Sequence, residues 1–492
     1  MSQAGTGIEW AASSDLAARL ESGEWRQWEL EERVRFLREV AGPYIRTRDT
    51  GSRLLVPGLT RLYESTLTSA LHPADGAELY DLVRTIIWMN ASDSGALEGF
   101  GAAIVEPLAA HVRRWAEEEE MPRRVVAGPP PYRIAYLSAN ATLALGAVIR
   151  VIWSCLAGHA RLASGRVELF LYATNGIDGH LRQAIESLGV TVRVCDGWRA
   201  REGIADVRRQ LDADRIDVIL ADNNRGLATV LFETRSAPLQ IYLDMGFPEW
   251  GGAGVDYTFL GFNGDAQLTA LPPGSCEQIE WRFDDRFVRT TVDPEAVAAQ
   301  RARFAGARHV FCYVGRLVKL APEYLLATRE ILRRVPGTVL YLGGTGDDRE
   351  LRETLDTFGD VASRVVVDAT QVDGPLMMHA TDTFLDSFPF FGGLSCLQAQ
   401  GAGRPVVHLA DPRPGYARLQ ALMRDGAVRA TTIGDYIAIA ERLAVMPAEW
   451  AARSAAAAGV AERGTDVTVC ARAIEDVIVR RLGSGRESDI KR

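Results

Sequence analysis

The chain is poor in the residues that build metal and redox centres. Its six cysteines, Cys155, Cys195, Cys276, Cys312, Cys396 and Cys470, lie far apart and form no CxxC pair, so zinc and thiol-redox chemistry are not expected. They read as small buried hydrophobes in a reducing compartment. A basic stripe is missing as well. Lysine and arginine are scattered and the formal net charge is -9, which leaves no electrostatic footprint for a nucleic-acid partner. Long apolar runs are also absent, and the stretch around Ala144 to Ala157 carries Arg150 inside it, so no membrane span is expected. The opening MSQAGTGIEWAASSD has neither a basic n-region nor an apolar h-region, and a cytoplasmic location is expected.

What is present is ordinary globular material, 47% hydrophobic and 24% charged over 492 residues, too long for one core. Residues 1–128 read as an all-helical N-terminal domain, with apolar positions spaced by three and four in WRQWELEERVRFLREVAG and AELYDLVRTIIWMN. Glu117 to Glu120 read as a solvated helix face, and Pro129, Pro130 and Pro131 mark a linker, since three prolines fit neither a helix nor a central strand. From Tyr132 short apolar runs alternate with helical stretches: RIAYLS, VELFLYAT, VTVRVCD, IDVILAD, LQIYLDMG and VDYTFLGF. This is repeated βα over 129–290, and strands that are apolar throughout imply a parallel sheet covered on both faces. A second βα series, HVFCYVG, GTVLYLGG, RVVVDAT, DTFLDSF and RPVVHLA, occupies 291–482 together with C-terminal helices. Residues 483–492 read as a disordered tail.

Ligands of open parallel sheets bind beyond the carboxyl ends of the strands. Two segments of the second series carry chemistry there. In PFFGGLSCLQAQGAGRPVV, Gly392 and Gly393 open a helix whose first turn includes Leu394 and Ser395, where free amides and the helix dipole favour a diphosphate. In VFCYVGRLVKLAPEYLL, Lys319 lies just past a strand end with Pro322 at the start of a helix, and Gly315 and Arg316 precede it. A lysine there offsets the charge that grows on a leaving diphosphate.

Together these segments resemble the catalytic region of the O-GlcNAc transferase family, which includes bacterial adhesin N-glucosyltransferases. The likeness is carried by FCYVGRLVKLAPEYLLATREILRRVPGTVLYL, by LDSFPFFGGLSCLQAQGAGRPVV, by VVVDATQ, and by APLQIYLDMGFPEWGGAGVDYTFLG at Gln240, Gly246, Pro248, Gly252, Asp256 and Tyr257. It spans roughly Tyr132 to Leu409. The resemblance implies an α/β fold of GT-B type, two Rossmann-like lobes facing a cleft, preceded by the helical domain. It implies a UDP-sugar donor, an acceptor protein or peptide, and no metal or other cofactor. By the same correspondence Lys319 meets the diphosphate with Gly392, Gly393, Leu394 and Ser395, while Ala369 and Gln371 meet the base. Gln398 takes the place of a ribose-binding acidic residue. Ser138, Asn140, Gly246, Phe247 and Pro248 fall on the acceptor side.

Departures shape the expected chemistry. Gly393 stands where the family often has a histidine, and the histidine after the first strand is missing from YLSANATLALG. Retaining GT-B enzymes carry two glutamates eight residues apart, where this chain has Phe390 and Gln398, so inversion by a single displacement is expected. Asp244 and Glu249 are the candidate general bases, unless the acceptor is deprotonated by the substrate itself. The pairs Asp284-Asp285 and Asp347-Asp348 read as loop residues. His309 and His408 read as core histidines, and His379 as a capping or packing residue near the cleft. Two alternatives stay open: a transferase or epimerase acting on a small molecule, and an inactive nucleotide- or partner-binding relative.

Overall fold

The computed structural model describes residues 13–44, 50–68, 71–90, 101–139, 141, 146–200, 202–222, 226–244, 254–261, 274–279, 281–346, 348–388, 392–410 and 427–483. The chain opens with helices α1 Ser13–Ser22, α2 Leu30–Tyr44, α3 Thr50–Leu67, α4 Pro73–Asn90 and α5 Glu106–Glu118. Pro107 in the first turn of α5 is placed where a missing amide hydrogen costs nothing.

The first βα series then runs β1 Tyr132–Ser138, α6 Ala147–Leu162, β2 Val167–Ala173, α7 Gly179–Glu186, β3 Thr191–Val194, α8 Gly203–Ala213, β4 Val218–Asp222, α9 Gly226–Glu233, β5 Leu239–Leu243, β6 Tyr257–Leu260 and β7 Cys276–Gln278. All pairings are parallel, in the order β3-β2-β1-β4-β5-β6-β7. Helices α10 Asp285–Val288 and α11 Pro294–Ala302 lead into the second series. It comprises β8 His309–Val314, α12 Pro322–Arg334, β9 Thr338–Gly343, α13 Arg349–Asp356, β10 Val365–Asp368, α14 Gly374–Ala380, β11 Thr383–Leu385, α15 Leu394–Gly401, β12 Val406–Leu409 and β13 Ala427–Ala430. This sheet is also parallel, in the order β10-β9-β8-β11-β12-β13. Helices α16 Ile433–Val445, α17 Pro447–Arg463 and α18 Thr468–Gly483 close the described chain, and residues 484–492 of the expected tail lie outside it.

Every residue of β4, β5 and β8 is buried, as strands sandwiched between helix layers must be. In each sheet the strand order reverses once beside the first strand, between β1 and β4 and between β8 and β11. Those are the two points where neighbouring loops part and a ligand crevice forms.

Packing departs from the linear division of the sequence in two places. The helical region expected as a domain of its own shares one core with the first lobe: Leu62, Tyr80 and Val83 lie in the same cluster as Ile204, Leu227 and Leu231. A Cβ on Gly226 would lie 2.1 Å from the Ala77 carbonyl oxygen, so α4 and α9 are in backbone contact, and Asp81 caps α9 by accepting the Gly226 amide at 3.0 Å. The second departure is α18, which follows the second lobe in sequence but packs on α6 of the first. Cys470, Ile474 and Ile478 share a core with Ile149, Trp153 and Leu156. Within that core His159 bridges Glu475 at 2.8 Å and the Tyr136 hydroxyl at 2.9 Å.

Candidate functional site

At the switch point of the second lobe, β8 ends against β9 through glycine. The Gly315 amide donates to Gly343 at 3.0 Å, and the Leu317 amide donates to Thr345 at 2.9 Å. Gly344 has φ +146, and a Cβ on it would lie 1.6 Å from the Gly315 oxygen, so only glycine lets the two strand ends pass. The Tyr313 hydroxyl donates to the Arg316 carbonyl at 3.2 Å. These bonds hold the short 3-10 turn Leu317–Lys319, after which Pro322 begins α12. Lys319 is half-buried. Burial, and then the Arg316 charge, push its amine below the ordinary lysine range against the attraction of Asp386 and Cys396.

Asp386 is the hub on the neighbouring strand. It is fully buried just past β11, and its Oδ1 accepts the Gly392 amide at 2.5 Å while its Oδ2 meets His408 Nδ1 at 2.7 Å. Its own carbonyl accepts the Tyr436 hydroxyl at 2.9 Å. A Cβ on Gly392 would lie 2.9 Å from Asp386 Oδ1 and 3.1 Å from Cys396 Sγ, which accounts for glycine there. Gly393 has φ +51 as the residue before α15, a conformation that disfavours side chains. The Ser395 amide turns back to Gly392 at 3.1 Å and the Cys396 amide to Gly393 at 3.0 Å. Among the described residues the Gly393 and Leu394 amides meet no acceptor, as expected of donors at the start of a helix.

Lys319 and the start of α15 therefore share neighbours, since Asp386 and Cys396 act on the Lys319 ammonium while Asp386 fixes Gly392 and Cys396 lies in the first turn of α15. A cation and two forward amides gathered about the same neighbours can serve an oxyanion pair. Further along α15, Gln398 is 7% exposed and its Nε2 has no acceptor among the described residues. Ala369 follows the end of β10, where the Asp368 carbonyl accepts the Gly344 amide at 3.0 Å, and Gln371 is exposed two residues on.

In the first lobe Ser138 ends β1 and donates to Asp222 Oδ2 at the end of β4, 2.5 Å away, with both residues buried. Asp244, the candidate base expected at the end of the run IYLDMG, is wholly buried there. β6 holds it down: its amide donates to Phe259 at 2.9 Å and its carbonyl accepts the Trp281 indole at 3.2 Å. Burial raises the Tyr242 phenol, and Asp244, Arg84, Tyr80 and Asp222 all act on it, so α4 of the helical region closes on this strand edge. Asn140, Gly246, Phe247, Pro248 and Glu249 lie outside the described residues.

Gln240 and Asp256 serve structure. Gln240 bonds Phe232, Gly254 and Ser236, and Asp256 pairs with Arg235 at 2.7 Å. Asp284 caps α10 and pairs with Arg161, while Asp348 pairs with Arg352. Asp347 lies outside the described residues. His309 bonds Thr383 at 2.9 Å, and burial lowers its pKa to about 4. His379 is turned to the Thr290 backbone, with burial and Arg404 lowering its pKa. His408, read as a core histidine, is the residue that orients Asp386 behind the site. Neither Asp386 nor Asp222 was singled out from the sequence, although each closes a strand run, in DTFLDSF and IDVILAD.

The two facing parallel-sheet lobes are a GT-B fold. No protein-family profile and no curated protein matches the chain. Among solved structures it is similar to a mutant O-GlcNAc transferase from Thermobaculum terrenum, with 19% identity, TM-score 0.58, and coverage of 99% of this chain and 100% of that one. It is also similar to Anabaena Alr3699/HepE in complex with UDP and glucose, with 18% identity, TM-score 0.52, and coverage of 71% and 100%. A glycosyltransferase from Rickettsia africae gives 8% identity, TM-score 0.52, and coverage of 71% and 98%. At these identities the shared property is the fold. The first of them extends over the helical region as well.

Proposed function

We propose that the protein is an inverting, metal-independent glycosyltransferase that moves a hexose or N-acetylhexosamine from a UDP-sugar to a Ser, Thr or Asn side chain of a protein or peptide. The observation that carries this is the meeting of Lys319 with the start of α15 around Asp386. The donor diphosphate rests on the Gly393 and Leu394 amides, and the Lys319 ammonium offsets the charge that develops as the bond from the sugar C1 to the diphosphate breaks. Amides and ammonium supply the countercharge that a metal supplies elsewhere. Ala369 and Gln371 hold the base, and the Gln398 amide donates to a ribose hydroxyl, more weakly than a carboxylate accepts one. The acceptor approaches from the carboxyl ends of the first-lobe strands, where Ser138 is buried against Asp222 and acts behind that surface. The buried state of Asp244 favours Glu249 or substrate-assisted deprotonation for the acceptor proton. Similarity to an O-GlcNAc transferase along the whole chain supports a protein acceptor.

The same burial of Asp244, with neutral Gln398, favours as a second reading a protein that binds the nucleotide without turnover. A panel of nucleotide-sugars separates the two. At 100 times its dissociation constant the right donor adds about 2.7 kcal/mol to stability, visible as a rise in Tm. Lys319→Ala keeps its Tm but loses about 10²–10³ in kcat. Donor binding without transfer to any acceptor would select the second reading, and the absence of binding to any nucleotide-sugar would remove both.

A further inference from the structure

Arg150 lies near the start of α6, the helix reached from the carboxyl end of β1. It is half-buried, its Nε is enclosed without an acceptor, and it joins no ion pair among the described residues. Its guanidinium carbon lies 5.3 Å from the centroid of the Phe287 ring, and Phe287 is braced edge-on by Trp153 at 6.2 Å and 82°. A guanidinium held over a ring loses rotational freedom while its N–H donors can still meet a planar oxyanion.

Two observations place that edge between the lobes. The carboxylate that acts on Arg150 is Asp373 of the second lobe, the residue before α14, at the carboxyl side of β10. Asp373 is already engaged as a helix cap, accepting the Leu376 amide at 3.0 Å. The ring under Arg150 is keyed to the cradle helix as well: Phe287 belongs to α10, and a Cβ on Gly401 of α15 would lie 1.8 Å from the Val288 oxygen. Leu394 and Leu397 of α15 also share a core with Trp153 and Val288.

A partly desolvated cation whose acting carboxylate, Asp373, forms no ion pair with it among the described residues is incompletely compensated until an anion arrives. We propose that Arg150 is an oxyanion-binding residue of the interlobe crevice, receiving from the first lobe two oxygens of a phosphate or carboxylate on the nucleotide-sugar held by the second. This rests on the donor proposed above. The oxyanion has two sources, the donor diphosphate or a carboxylate on the transferred sugar, and the core that Trp153 shares with Leu394 at the start of α15, where the diphosphate is proposed to rest, favours the diphosphate.

Calorimetric titration of UDP, UDP-glucose and UDP-glucuronic acid into the full chain tests this with Arg150→Ala, Arg150→Lys and Arg150→Gln, each checked for an unchanged Tm without ligand. Arg150→Ala is expected to weaken all three by about tenfold or more, with only part of the loss recovered by Arg150→Lys, which keeps the charge but not the fork. Loss confined to UDP-glucuronic acid assigns the sugar carboxylate as the partner. If Arg150→Ala does not fold, Arg150→Gln carries the same comparison. Unchanged affinities for all three ligands, with the wild type binding them, overturn the role of Arg150 alone. A wild type that binds none of them overturns the donor itself.

Discussion

At the scale of single residues, Lys319 couples burial to charge in a way that pH reveals. Burial and Arg316 lower the affinity of its amine for a proton, so the ammonium is lost at a lower pH than on an exposed lysine. If the charged form serves the leaving diphosphate as proposed, the transfer rate is expected to fall as pH rises, with an alkaline limb below the ordinary lysine range. A kcat–pH profile checks this, and Lys319→Arg should move the limb upward, since a guanidinium does not titrate there. A limb unmoved by that substitution would assign it to another group. Lys319, Gly392 and Gly393 were singled out through the resemblance of their segments to a known catalytic region, since a lysine past a strand end and a glycine pair before a helix are by themselves more often surface and turn residues. Their support was not: Asp386 and His408 are 22 positions apart, and only the pairing of β11 with β12 brings them to 2.7 Å.

Elements were read well where burial shaped them and poorly where it did not. The eleven apolar runs of the two βα series all became parallel strands, since strands covered on both faces must be apolar throughout. The edge strands β7 and β13, CEQ and AVRA, carry no such signal because they are short and their residues are mostly polar or small, unlike the more apolar edge strands β3 and β10. Contacts between elements were less visible still. Nothing in GLATVLFE announces that Gly226 touches the Ala77 backbone. Gly226→Ala is expected to destabilise the protein by about 1–3 kcal/mol through overpacking of α4 on α9, measured by urea unfolding. A neutral result would mean that this seam is loose.

For the whole molecule, the shared core changes what the N-terminal helices are. Had they been a separable domain, deletion of residues 1–125 would leave the lobes intact. Instead deletion exposes Ile204, Leu227 and Leu231 and removes Arg84 from the edge where Ser138, Asp222 and Asp244 lie. The shortened chain is expected to aggregate or melt well below the full chain, by light scattering and calorimetry. A monomeric, cooperatively folding fragment would show that the helices dock without sharing stability. Among the described residues no helix is long and apolar enough to cross a membrane.

The sequence by itself determined the period of each segment, and with it the order of helices and strands, because those depend on neighbours a few residues away. Only the tertiary structure decided which strand ends meet, that α18 returns to the first lobe, and that the helical region joins its core. Such contacts are set by packing between segments hundreds of residues apart, where burial is shared by both partners and written in neither alone.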